Sequence, residues 1–209
     1  MREPVYNYVK EMISKYRFEE PILDCCAGWE PNLYQPLFPN MKYIKQDYQD
    51  YQPSCIDVVC DICDMSSIEE NSIGLVLLLE ALEHIEQPQK ALDEIYRVLK
   101  PNGLIILTTV LGMGIHRCPK DYWRFCPDGI ELLLRKFRVL DFTLEGEPSF
   151  PLGIWITGQK VIPPMETKIF PRPRVIKAPR EDRYRTINWL LRKFRIELRY
   201  IHKSRPRYD

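Results

Sequence analysis

An α/β fold with a mostly parallel sheet and helices on both faces is what this chain of 209 residues predicts. Three observations carry that expectation. Short apolar runs at residues 22–24, 56–60, 73–79 and 104–110 alternate with helical periodicities at residues 5–16 and 88–99. The first run, Ile22-Leu23-Asp24, ends in an acid and passes into the small-residue turn Cys25-Cys26-Ala27-Gly28. A buried parallel strand delivers its carboxyl end to a ligand crevice in this way. Third, Lys100-Pro101-Asn102-Gly103 closes the second helix directly before an apolar strand.

Each element has its own reason. Val5, Tyr8, Val9, Met12, Ile13 and Tyr16 fall on one face of an N-terminal helix laid against the domain. After the first strand, the Pro- and Asn-containing connection at residues 31–40 leaves room for a short helical turn at most. Strands are expected over residues 41–46 and 56–60, and Asn71-Ser72 punctuates the chain before the strand over 73–79. Pro88 opens the next helix, where its missing N–H costs nothing, and Leu92, Ile95, Val98 and Leu99 form its apolar stripe. A strand over 104–110 is followed by a long loop at 111–126. A helix opening at Pro127 and running to 136, then strands over 137–144 and 154–161, complete the domain.

Composition bounds what this chain can be. A hydrophobic share of 45% supplies a full core, so global disorder is excluded. No apolar run reaches bilayer length and Met1-Arg2-Glu3-Pro4 has no secretion-signal core, so the expected location is cytoplasmic. Seven cysteines, an odd number in a chain read as intracellular, argue against a disulfide framework. Cys60-x-x-Cys63 has metal-ligand spacing but no second pair, so no metal is expected.

Charge is unevenly spread. Residues 171–209 hold thirteen Lys/Arg against four Asp/Glu, a surplus of nine, which leaves residues 1–170 eight negative within a chain of net charge +1. Pro163-Pro164 and Pro171-Arg172-Pro173 mark a change of character after Val161. The expected division is a domain over 1–162 and a Pro/Arg-rich extension over 163–209, with an amphipathic helix at about 186–201. That helix is expected to dock on the domain or across a homodimer. A membrane surface and nucleic acid are the other partners its cations and Trp189 could serve.

The run Pro21-Ile22-Leu23-Asp24-Cys25-Cys26-Ala27-Gly28-Trp29-Glu30, then Leu79-Glu80-Ala81-Leu82-Glu83-His84, then Glu94-Ile95-Tyr96-Arg97-Val98-Leu99-Lys100-Pro101-Asn102-Gly103, resembles the class I S-adenosylmethionine (SAM)-dependent methyltransferases over roughly residues 20–145. The resemblance implies a Rossmann-like class I methyltransferase fold with a mostly parallel seven-stranded sheet. It implies SAM as cofactor and methyl transfer to a small-molecule acceptor. For the cofactor it points to Asp24, Cys26, Ala27 and Gly28 at the first turn, Asp47 for the ribose hydroxyls, Asp61 and Ile62 for the adenine, and Glu80 after the fourth strand. Cys26 and Glu30 stand where the family has flanking glycines, and Gly74 stands where it has an acid. A surface acid at Asp47 and a turn residue at Asp61 are the plainer readings of the same residues.

His84 and His116 are the catalytic candidates, since imidazole can take a proton from an acceptor near neutral pH. The loop His116-Arg117-Cys118-Pro119-Lys120-Asp121-Tyr122-Trp123-Arg124-Phe125 resembles the acceptor loop of methyltransferases found among glycan-assembly enzymes. The resemblance points to Asp121, Tyr122, Trp123 and Arg124 as binders of a polar acceptor, a sugar or glycan precursor among them. An Asp121–Arg124 pair that only ties down the loop is the alternative. At the level of the whole chain, the alternatives are a nucleic-acid methyltransferase and a non-catalytic binding subunit.

Overall fold

The computed structural model describes residues 2–30, 32–117, 119–164 and 170–177. The chain divides into a unit over residues 1–178 and a second over 179–209. The helix expected at 186–201 lies outside the described residues. In chain order the first unit runs α1 (Glu3–Lys15), β1 (Ile22–Cys25), β2 (Tyr43–Asp47), β3 (Val58–Val59), β4 (Ile73–Leu79), α2 (Pro88–Val98), β5 (Leu99–Val110), α3 (Pro127–Leu133), β6 (Phe137–Glu147), β7 (Phe150–Lys160) and β8 (Arg174–Ile176). Short 3₁₀ turns fall at Gln35–Leu37 and Leu82–His84.

All of these strands lie in one sheet of order β3-β2-β1-β4-β5-β7-β6-β8. Pairing is parallel from β3 through β5, β7 runs antiparallel to both β5 and β6, and β8 is parallel to β6. The chain moves outward from β1 to β3 and then returns to β4 on the other side of β1. That reversal opens a crevice at the carboxyl ends of β1 and β4.

Period-two alternation along β4 explains the two-faced core. Leu75 and Leu77 face α1, where they pack with Val5, Val9, Met12 and Trp155. Val76 and Leu78 face the other way, toward Leu92, Ile95 and Val98 of α2 and Ile130 of α3. Each helix thus buries one apolar stripe on the sheet, and the expected cover of both faces is present.

Some expected boundaries are corrected. The chain leaves α2 at Leu99 and is already extended there. Leu99 pairs with Ile73 and Leu104 with Leu75, so residues 100–103 bulge from β5 rather than separating helix from strand. Burial of Leu99 against the sheet outweighs the helical pattern it continues. β3 shrinks to Val58–Val59, and α3 stops at Leu133, where the chain turns toward β6. The sheet gains an eighth strand, β8, from the Pro-rich segment beyond Val161, held by Arg174, whose guanidinium reaches Asp141 and Glu11.

Candidate functional site

The crevice is built where β1 and β4 end. Cys26 and Glu80, the residues that follow the two strands, both adopt left-handed backbone, φ 56° and 51°. Two non-glycine residues in that region, side by side, are an uncommon concession of backbone geometry to a site. Asp24, Cys26, Ala27 and Glu80 line the cavity together, with Tyr34 and Arg2. Gly28 sits at φ 69°, and a Cβ there would meet nothing within 4 Å, so the turn faces open space. At this position glycine is needed for the conformation.

Hydrogen bonds lock the ends of β1 and β2 to each other. Asp47 is 3% exposed; its Oδ2 accepts from the Gly28 amide at 2.9 Å and its Oδ1 from the Tyr48 amide at 2.8 Å. The Tyr51 hydroxyl is a third donor, 3.4 Å from Oδ1, which leaves one of about four acceptor positions on the carboxylate. Gln46 donates from Nε2 to the Cys60 carbonyl at 2.7 Å and accepts at Oε1 from the Cys26 amide at 3.3 Å. Asp24 accepts from the Tyr43 hydroxyl at 2.6 Å. Burial pushes the Asp24 carboxyl up to about 7, against the pull of that hydrogen bond.

Asp61 and Ile62 do not line the cavity. Asp61 is exposed and its Oδ1 accepts from the Cys63 amide at 2.8 Å, a local turn bond. Ile62 is buried in the core beside Leu23 and Cys25. Cys63 lies in the same core and its thiol is pushed up to about 11 by burial, so the Cys60-x-x-Cys63 pair does not present thiolates.

Sequence reasoning missed Arg2. Its guanidinium bridges Glu80 and the buried Glu145 of β6, closing one wall of the crevice. Burial pushes the Glu80 carboxyl up, while Arg2 pulls it down. Nothing in the residues around Arg2 announces this role, because its partners lie 78 and 143 positions away. Glu83 was within reach: it stands between two assigned residues in Glu80-Ala81-Leu82-Glu83-His84. It is fully buried, its Oε2 accepting from Thr109 Oγ1 at 2.8 Å.

The loop at 111–126 returns over the 3₁₀ turn. The Tyr122 and Trp123 amides both donate to the Glu83 carbonyl, at 2.9 and 3.2 Å, and Trp123 Nε1 donates to Ile85 O at 2.9 Å. Tyr122 and Trp123 still leave 40% and 42% of their surface to solvent. Asp121 and Arg124 spend their polar atoms inside the loop: Arg124 holds both oxygens of Asp121 and reaches the Met113 and Gly114 carbonyls. The guanidinium keeps the Asp121 carboxyl far below the usual range. His84 Nδ1 meets the Lys120 carbonyl, and the rings of His84 and His116 stand edge to face with centroids 4.8 Å apart.

Residues 36–107 match the family described as the methyltransferase domain, about a third of the chain. No curated protein matches the chain. Among solved structures, a SAM-dependent methyltransferase from Archaeoglobus fulgidus superimposes with TM-score 0.59 at 15% identity, covering 77% of this chain and 95% of that one. A possible histamine N-methyltransferase from Thermotoga maritima gives TM-score 0.56 at 16% identity, with coverage of 75% and 87%. The 1,6-didemethyltoxoflavin-N1-methyltransferase of Burkholderia thailandensis, with bound 1,6-didemethyltoxoflavin and S-adenosylhomocysteine, gives 0.55 at 17% identity, with coverage of 76% and 77%.

Proposed function

We propose that this chain, a class I SAM-dependent methyltransferase in its fold and in the sequence of its core, methylates a small polar acceptor, a sugar or glycan precursor being the class its acceptor loop suits. The observation that carries this reading is the crevice at β1 and β4, lined by Asp24, Cys26, Ala27 and Glu80, with Asp47 holding the adjoining Gly28 amide. Those residues fit the cofactor: a sulfonium and an ammonium call for nearby carboxylates, and ribose hydroxyls call for an acceptor such as Asp47. SAM, when bound, supplies an electrophilic methyl group on a good leaving group.

What the chain's own residues contribute is position. Asp47 pins the Gly28 turn, so the backbone there is ready for close approach before any ligand arrives. Tyr122 and Trp123 offer apolar faces with polar edges, which suit a sugar ring. His84 is engaged at Nδ1 by the Lys120 carbonyl, which leaves the Nε2 lone pair uncommitted. Asp121 and Arg124 support the loop, and their contact with acceptor is indirect.

Binding of S-adenosylhomocysteine by calorimetry tests the cofactor half. Asp47→Asn is expected to weaken it about tenfold or more, from loss of charged hydrogen bonds worth about 1.5–3 kcal/mol. An unchanged dissociation constant would remove Asp47 from the site. For the acceptor half, Trp123→Ala should lower turnover of a library of sugar acceptors while leaving cofactor affinity within about twofold.

A further inference from the structure

Glu83 Oε1 is a buried carboxylate oxygen without a hydrogen-bond partner among the described residues. Such an atom costs free energy and calls for an explanation. Two imidazoles lie near the same residue. One ligand atom each from Glu83, His84 and His116 can be chosen so that all lie within 4.8 Å of one another. We propose that these three residues bind a divalent first-row transition ion, zinc being the reference case, where the loop at 111–126 meets the 3₁₀ turn. No metal was expected from sequence, where only Cys60-x-x-Cys63 was weighed, and Glu83 and His116 stand 33 positions apart.

The supporting groups around each ligand are those a metal site requires. His84 has Nδ1 on the Lys120 carbonyl, and His116 has Nδ1 3.2 Å from the Gly114 carbonyl and 3.5 Å from Asp121 Oδ2. With Nδ1–H donating in both rings, both Nε2 lone pairs are free, and a carboxylate stands behind one imidazole. Glu83 is oriented by Thr109 at Oε2, which leaves Oε1 as the ligating oxygen. Its own backbone carbonyl is held by the Tyr122 and Trp123 amides, so the loop that brings His116 is fastened to the turn that brings Glu83 and His84. The Asp121–Arg124 pair completes that brace.

Two imidazoles and one carboxylate leave coordination positions open, the pattern of catalytic rather than structural sites. Calcium and magnesium prefer all-oxygen shells and are disfavoured. Ligand atoms around an ion at about 2.0–2.2 Å lie within about 4 Å of one another, so a set spread over up to 4.8 Å must draw in by at most roughly 1 Å, through torsions about two part-exposed histidines. An ion so held would face an acceptor hydroxyl or amine as a Lewis acid. That consequence rests on the methyl-transfer reading, whereas binding of the ion does not.

The test uses the full chain, stripped with a chelator and titrated with Zn²⁺ by calorimetry and with Co²⁺ by visible absorption. One ion per chain is expected, with ligand-field bands of a four- or five-coordinate site and weak competition from Mg²⁺. Glu83→Gln and His116→Ala should each weaken binding at least about tenfold, while Cys60→Ser leaves it unchanged. S-adenosylhomocysteine binding by both variants reports that they are folded. Equal affinity in wild type and His116→Ala, or loss of binding in Cys60→Ser, overturns the proposal. Should Glu83→Gln fail to fold, His116→Ala, on the loop, decides alone. Metal binding without cofactor binding would sink the methyl-transfer reading and leave the ion site standing.

Discussion

Gly74 has no room for even a methyl group: a Cβ there would lie 1.9 Å from the Glu19 carbonyl oxygen. Packing at the start of β4 therefore dictates glycine at this position. Gly74→Ala should cost about 3 kcal/mol through backbone displacement, which lowers Tm by roughly 6–12 °C in calorimetry. An unchanged Tm would mean the strand start shifts freely. Asp24 makes a second prediction. Its folded-state pKa of about 7 lies above the unfolded carboxylate value. The folded state therefore binds the proton more tightly, and stability present at low pH is lost as pH rises from about 4 through about 7. A rise of that size bounds the loss at about 4 kcal/mol. Glu80, also pushed up by burial, acts with the same sign. Asp24→Asn should flatten the fall in Tm between pH 5 and pH 8 without abolishing it; an identical slope in wild type and variant would contradict the assignment.

At the scale of elements, the loop at 111–126 and the 3₁₀ turn Leu82–His84 behave as one piece, since three hydrogen bonds from Tyr122 and Trp123 stitch them. Arg124 is the brace, because its guanidinium serves Asp121 and three loop carbonyls at once. Arg124→Ala should release the loop: trypsin cuts faster at Arg117 and Lys120, and turnover drops by roughly 10²-fold from misplacement of acceptor groups, with cofactor affinity retained. Unaltered cleavage and turnover would show that the stitching suffices without the brace. Much of this loop was legible in the sequence, since an Asp and an Arg three apart within an aromatic stretch announce a pair. That the pair turns inward, leaving Tyr122 and Trp123 half out, followed from where the Gly114 carbonyl lies.

For the whole molecule, the first helix closes the crevice. Arg2 joins the start of α1 to the end of β4 and to β6 through Glu80 and Glu145. Glu145 is fully buried, so removing its counter-charge strands a carboxylate in the interior. Arg2→Ala is expected to cost about 3 kcal/mol at neutral pH. The cost should shrink as pH falls, because the Glu80 carboxyl, raised by burial, takes up a proton more readily than a free one. Thermal melts of both proteins across pH 5–8 check this, and a pH-independent difference would point to lost packing instead.

The parallel sheet, the β1 turn, α2 and the positions of Asp24, Gly28 and Asp47 were determined by the sequence alone, because periodicity, turn chemistry and helix stops act over a few neighbouring residues. Only tertiary structure decided which distant groups meet. It drew β8 from the Pro-rich arm into the sheet beside β6, and it turned Ile62 into the core. It also set Arg2 between two glutamates and brought the unpaired oxygen of Glu83 to His84 and His116. The physical reason is strand order. A sheet that reverses direction between β1 and β4 and then inserts β7 between β5 and β6 gathers loop ends that no local pattern in the chain relates.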